Sequence, residues 1–253
     1  MSIEFIAGTQ TKIELISQSH GAVRVPLAQN FDYTPSFEER RIFEFDSADA
    51  VAVVTNFNGV EVRFDHFDTH NQLVDAVVND LDPAATALAD DPSLYKEVTI
   101  MLNIRSKDTN LIFQSVLAKA VRLTGAASAE PVRTESTISR SGVAINVLRL
   151  KGVALEYSRA LRSGSTAFPQ GSANSNVDKV AALNLTNYEI TLINTPQVVV
   201  ANDPAINGTA LIHVLKNGNK YTGATISASK ILIPSADFGA NDVFEAWTTY
   251  LDV

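Results

Sequence analysis

His66, Asp68 and His70 alternate along the segment His66-Phe67-Asp68-Thr69-His70. On an unbroken strand, two imidazoles and a carboxylate would share one face and offer zinc or ferrous iron a partial ligand set. The next residues argue against that geometry. Thr69-His70-Asn71-Gln72 has the spacing of a capping box, which begins a helix at Thr69 and turns His70 away. A polar strand-to-helix junction is expected instead of a metal site. Ser227-Ala228-Ser229-Lys230 has the serine-lysine spacing of the penicillin-recognising enzymes, in which the lysine activates the hydroxyl. That chemistry needs the serine at a helix start, whereas here the residues lie in a β-patterned run, and no Ser-Asp-Asn or Lys-Thr-Gly follows. Asp80, Asp82, Asp90 and Asp91 lack the alternation and glycine of an EF-hand loop and read as helix-end carboxylates. Neither phosphate-loop pattern, G-x-x-x-x-G-K-[ST] or G-x-G-x-x-G, occurs.

The absence of cysteine excludes disulfides, thiolate nucleophiles and cysteine zinc sites together. No catalytic, cofactor-binding or metal residue is therefore assigned, no cofactor is expected, and the chain reads as a non-enzyme whose function lies in surfaces. A formal charge of −8 and the lack of basic residues interleaved with aromatics argue against a general nucleic-acid binder. The imbalance is uneven: acidic residues crowd the region from Asp32 to Glu97, while Arg133, Arg140, Arg149, Lys151, Arg159 and Arg162 make the next segment mildly basic. This is either solvated surface or a set of complementary faces that meet in an assembly. The first residues show no secretory pattern and no apolar run reaches a membrane span, so use without export or membrane contact is expected. The glycosylation patterns at Asn184 and Asn207 are then expected to be unused.

Around these residues the periodicity is mostly that of strands. Ala48–Leu81 reads as strand, Asn58-Gly59 turn, strand, then helix, with Glu61, Arg63 and Asp65 on one face and Val60, Val62 and Phe64 on the other. Residues 2–6, 12–17 and 22–25 read as short strands, Leu27–Phe37 as an extended loop that orders on assembly, and Phe37–Phe45, with its quartet Glu38-Glu39-Arg40-Arg41, as an exposed edge strand. Asp82-Pro83 and the alanines after it predict a further turn or two of helix. Thr99–Ile104 reads as a strand, and a stripe of Ile112, Phe113, Val116, Leu117, Ala120 and Val121 predicts a second helix ending near Gly125. Val143–Tyr157 reads as a hairpin turning at Lys151-Gly152. The polar run from Arg162 to Lys179 is either an interdomain linker or a loop that orders against a partner. From Val180 onward, short strands and the turns Asn207-Gly208 and Asn217-Gly218 suggest a small β-sandwich or barrel, unless the last segment returns to pair with the first domain.

The fold class expected is mainly β, of α+β type. It comprises an antiparallel sandwich or barrel flanked by helices near 70–81 and 110–123 (residues 1–165), a linker or loop (166–180) and a β-rich C-terminal module (181–253). This order of elements resembles the tail tube proteins of tailed bacteriophages. The resemblance lies in the opening β-segment, the loop Leu27–Phe37 leading into RIFEF, the hairpin AVAVVTNFNGVEVRF, the helix THNQLVDAVVNDL and the later hairpin VAINVLRL–KGVALEYS. It implies a structural virion protein that stacks as rings into a hollow tube. The tube would sit in the virion tail after assembly in the host cytoplasm, with tape measure and sheath proteins as partners and DNA passing through the lumen without specific binding. A capsid-decorating or baseplate protein would share the composition. A carbohydrate-binding β-sandwich would need exposed aromatics, for which Trp247 and Tyr250 are the candidates.

Overall fold

A computed structural model describes residues 11–25, 28–43, 50–67, 73–79, 95–106, 108–129, 137–162 and 178–253. The first part of the chain gives β1 (Thr11–Ser17), β2 (Gly21–Arg24), β3 (Ala28–Phe43), β4 (Ala50–Phe67), α1 (Leu73–Asn79), β5 (Glu97–Arg105), β6 (Ile112–Ala129), β7 (Thr137–Ala144) and β8 (Asn146–Lys151). The second part gives β9 (Ala154–Arg162), β10 (Asp178–Asn184), β11 (Asn187–Thr191), β12 (Leu211–Lys216), β13 (Asn219–Lys220), β14 (Thr225–Ser227), β15 (Lys230–Pro234) and β16 (Val243–Tyr250). They form two eight-stranded sheets, a mainly β architecture as expected. The first sheet runs β2-β1-β5-β6-β7-β4-β3, with β8 continuing beside β6, and the second runs β13-β12-β16-β9-β10-β11-β15-β14.

The first sheet curls around α1, whose Val74, Val77 and Val78 recur at helical spacing and bury against Ile13, Leu15, Val62, Phe64, Ile100 and Leu102. The expected helix over 70–81 is described only from Leu73 to Asn79. Ile16, Met101, Leu117 and Leu150 on the other face of this sheet meet Leu155, Tyr157, Ile212 and Trp247 of the second. A third core closes on the far side of the second sheet around Ile190, Ile231, Phe238 and Phe244. Residues of β9 and β16 are buried along nearly their whole length because both of their faces are covered.

Polar groups tie the sheets together at three points. Asn103 Nδ2 donates to the Leu155 carbonyl and Asn103 Oδ1 accepts from the Leu155 amide, each at 2.9 Å, so a side chain takes the part of a neighbouring strand. Asp252 accepts from Arg105 at 2.7 Å and from the Ile112 amide at 2.9 Å. Arg159, buried on β9, pairs with Asp178 at 2.8 Å and donates to the Gln18 and Ser19 carbonyls of the β1–β2 turn at 2.8 and 2.7 Å. Beside it, the Tyr157 hydroxyl donates to Glu245 at 2.9 Å. Burial pushes both the Tyr157 hydroxyl and the Glu245 carboxyl upward from their ordinary values.

Several expectations fail for identifiable reasons. The helix predicted over 110–123 is strand β6. It runs through the middle of the sheet with Val116 and Ala118 in one core and Leu117 in the other, so both faces are apolar and the run imitates a helical stripe. Of the loop expected over Leu27–Phe37, residues 28–37 are strand: β3 is continuous from Ala28. Asn58-Gly59 does not reverse the chain but lies inside β4, at a bulge where Ser36 pairs with Gly59 and Phe37 with Phe57. Gly59 has φ +111°, and a Cβ there would meet Val143 Cγ1 at 2.8 Å and the Ala144 carbonyl oxygen at 2.9 Å. Lys151-Gly152 turns the chain from one sheet into the other and makes no hairpin, since β8 pairs with β6 and β9 with β16. The second sheet accordingly begins at Ala154, ahead of the expected boundary at 165, and β16 returns to pair with β9 as the alternative reading allowed. Thr99–Ile104 is strand within β5, and Asn217-Gly218 has the positive φ values, +52° and +77°, of the expected tight turn between β12 and β13. The strand at 2–6, the helical turns after Pro83 and residues 166–177 of the linker lie outside the described residues.

Candidate assembly surface

β3 is an edge strand of the first sheet: among the described residues it pairs only with β4. Its 16 residues would leave a one-sided hydrogen-bonding edge of roughly 50 Å at about 3.4 Å per residue. Pro35 and the charges that follow it are the devices by which natural edges avoid indiscriminate pairing. The β4–β7 ladder covers Val60 to Phe67 only, so the stretch pairing Phe37–Phe43 with Ala50–Phe57 stands clear of β7 as a two-stranded arm. At the root of the arm Phe37 and Phe57 are 59% and 52% exposed, with ring centroids 5.6 Å apart. A tilted aromatic pair left in water is a costly arrangement in a monomer and a ready contact for a partner.

On β4, Val60, Val62, Phe64 and His66 point into the core while Glu61, Arg63 and Asp65 point out, as the alternation predicts. Three rows cross the outer face: Thr34, Glu61 and Val143; Asp32, Arg63 and Ser141; Asn30, Asp65 and Ser139. Asp65 accepts from Ser139 at 2.6 Å and from Asn30 at 3.0 Å, and these bonds hold its carboxyl below the usual range. Arg63 lies 3.7 Å from the same carboxylate. With Asp32, Glu61 and Asp65 set against Arg63, this face is polar, cross-linked and net acidic.

Among the described residues the candidate chemical residues are not brought together. His66 is buried in the first sheet with its ring 6.0 Å from that of Phe64, and Asp68, His70 and the aspartates at 80, 82, 90 and 91 lie outside the described residues. Among the described residues no three histidines or carboxylates are grouped to hold a metal. Ser227 and Lys230 flank a tight turn between β14 and β15, and Lys230 pairs with Glu189. Trp247 is wholly buried in the inter-sheet core and Tyr250 is half-buried, so the aromatic platform a carbohydrate module needs is not formed by them. No helix among the described residues is long and apolar enough to cross a membrane. The arm was missed because it depends on the ladder lengths of β3, β4 and β7, which no single stretch of sequence encodes.

No protein-family model and no curated protein matches the sequence. Among solved structures the fold is similar to tube proteins at low identity. The SPP1 tail tube is 13% identical, with a TM-score of 0.38 over 58% of this chain and 79% of that one. The tube-terminating cap of the anti-feeding prophage is 10% identical, with a TM-score of 0.37 over 60% of this chain and 95% of that one. A component of the sheath-tube complex of the PVC extracellular contractile injection system is 8% identical, with a TM-score of 0.37 over 58% and 91%.

Proposed function

We propose that this chain is a structural subunit that joins copies of itself edge to edge into rings, and that the rings stack into a hollow tail tube. The observation that supports this best is the long, one-sided β3 edge ending in an arm with an exposed aromatic pair. Among the described residues the opposite edge of the same sheet is β2, so a β3-to-β2 contact would be heterologous and would close into a ring when the rotation per copy permits. The arm then reaches a neighbouring copy and covers Phe37 and Phe57. The net-acidic outer face of β3, β4 and β7 suits a lumen wall, because carboxylates repel phosphate and let DNA pass without adhering. In this reading the partners are other copies of the chain, a tape measure protein and a sheath where one is present. The site of action is the virion tail after assembly in the host cytoplasm, the delivered cargo is phage DNA, and no catalysis or membrane contact is involved.

Negative-stain microscopy and sedimentation of the full chain test the proposal. Rings or hollow tubes are expected from the natural protein. Phe37→Glu and Phe57→Glu should abolish them while leaving the circular dichroism spectrum unchanged, since both side chains are exposed in the single chain. A natural protein that stays monomeric at high concentration would refute it, as would phenylalanine variants that assemble normally.

A further inference from the structure

The two sheets part over one stretch of their shared face and leave a cleft of about 1130 Å³. The β1–β2 turn, the start of β5 and the middle of β6 bound one side; β12, β13 and residues 203–209 bound the other. Lys119 enters it because β6 bulges there. Val98 pairs with Val121 and Ile100 with Ala118, so Lys119 and Ala120 stand opposite Thr99 alone, and Ala120 takes φ +49°. An inserted residue of this kind re-aims the side chains around it. Facing Lys119 from the second sheet are His213, whose ring lies 5.2 Å from that of Trp247, and Lys220 on β13.

Among the described residues neither Lys119 nor Lys220 makes an ion pair or a side-chain hydrogen bond, whereas Lys216 and Lys230 are both paired. Burial and then the charge of Lys220 press the Lys119 ammonium downward, against a smaller opposing pull from Asp203. Burial, Lys119 and Lys220 together hold His213 down to about 4, and no carboxylate offsets them. Carboxylates do line the cleft, but two are engaged: Asp203 accepts from the Ala205 amide and Glu245 from the Tyr157 hydroxyl, each at 2.9 Å. Glu97 lies exposed beside Lys96 at the mouth.

We propose that this cleft binds an oxyanion, a phosphate or carboxylate group on a small ligand, held between Lys119 and Lys220 with the His213 imidazole beside it. An anion there replaces the repulsion between the half-buried Lys119 ammonium and the exposed one of Lys220 with two charge-assisted hydrogen bonds. The volume leaves room for the body of a ligand as well as its charged end. No residue of β3 or β4 lines the cleft, whereas the β1–β2 turn that bounds it adjoins the β2 edge, so binding by the single chain in solution tests the site apart from assembly.

The test is a titration of the full chain with inorganic phosphate and, separately, with a triglutamate peptide, followed by the ring resonances of His213. Binding should give a saturable shift and move the His213 midpoint up from about 4 toward its ordinary value, because a nearby anion favours the imidazolium. Response to phosphate alone identifies a phosphate ligand, and response to the peptide alone a carboxylate one. Lys119→Gln and Lys220→Gln should each weaken binding by about tenfold, the equivalent of losing one charge-assisted hydrogen bond. Each should also raise the His213 midpoint before any anion is added, which reports a folded cleft. The proposal is overturned if neither probe saturates by about 10 mM, the weakest affinity such a pair would give. It is equally overturned if the variants bind like the natural protein, or if their His213 midpoint does not move.

Discussion

Replacing Arg159 by methionine should loosen the union of the two sheets. The Arg159 and Asp178 side chains are 1% and 3% exposed and 2.8 Å apart. Methionine fills much of the same volume but takes the Arg159 guanidinium away from the buried Asp178 carboxylate, and takes that donor away from the Gln18 and Ser19 carbonyls. Removing one member of a buried pair costs about 3–5 kcal/mol. Two stranded carbonyls add about 1 kcal/mol each where water cannot reach them. A loss of about 5 kcal/mol is expected, equivalent to roughly 10–20 °C in Tm for a chain of this size. Urea unfolding followed by tryptophan fluorescence measures it directly, because Trp247 is the single tryptophan and lies in the same inter-sheet core. The double variant Arg159→Met with Asp178→Leu should recover about 3 kcal/mol relative to the sum of the single losses, since the buried carboxylate that lost the guanidinium is gone as well. A single-variant loss below about 1 kcal/mol, or strict additivity in the double variant, would show that the pair is not coupled. Two separated unfolding transitions, only one of them sensitive to Arg159, would refute the shared core itself.

Two further perturbations follow from the same geometry. Glu245 is a carboxyl whose pKa burial raises, so the folded chain binds its proton more tightly than the unfolded one; its contribution is fully present below the ordinary carboxyl range and is lost as pH rises through the folded value. Glu245→Gln keeps an acceptor for the Tyr157 hydroxyl, and its stability curve should fall less steeply above pH 4.5 than that of the natural chain; parallel curves would refute the assignment. Gly59→Ala drives a Cβ against Val143 and the Ala144 carbonyl at a φ that side chains rarely adopt, and should cost about 2 kcal/mol in thermal denaturation, with no loss meaning that the strands are further apart.

Where one face of a strand is wet, the sequence is legible. Val60, Val62 and Phe64 alternate with Glu61, Arg63 and Asp65, and the structure keeps every one of them on its expected side. β6 was illegible for the opposite reason: covered on both faces, it carries an apolar run in which helical and strand periods coincide, and only its β-branched Ile112, Val116, Val121 and Thr124 lean toward a strand. Asn58-Gly59 misled because a pair that can adopt positive φ marks an irregularity without saying whether the chain reverses there. In β4 the glycine instead lets two strands approach closely beside a bulge. The bonds from Arg159 to the Gln18 and Ser19 carbonyls and the opposition of Lys119 and His213 join residues far apart in the chain, and no local pattern announces them.

β3 carries the most consequence. Asn30, Asp32, Pro35 and Ser36 are turn-forming residues, and they made the segment read as a loop. Inside a sheet they would break a ladder, but β3 needs a ladder on one side only, so a residue without an amide hydrogen is tolerated there. The features that hid the strand are therefore those that identify it as an edge. Read as a loop, the segment would need a partner to become ordered. As a preformed edge it offers a partner an extended strand already fixed in register by β4, so most of the ordering cost of edge-to-edge pairing is met within the single chain.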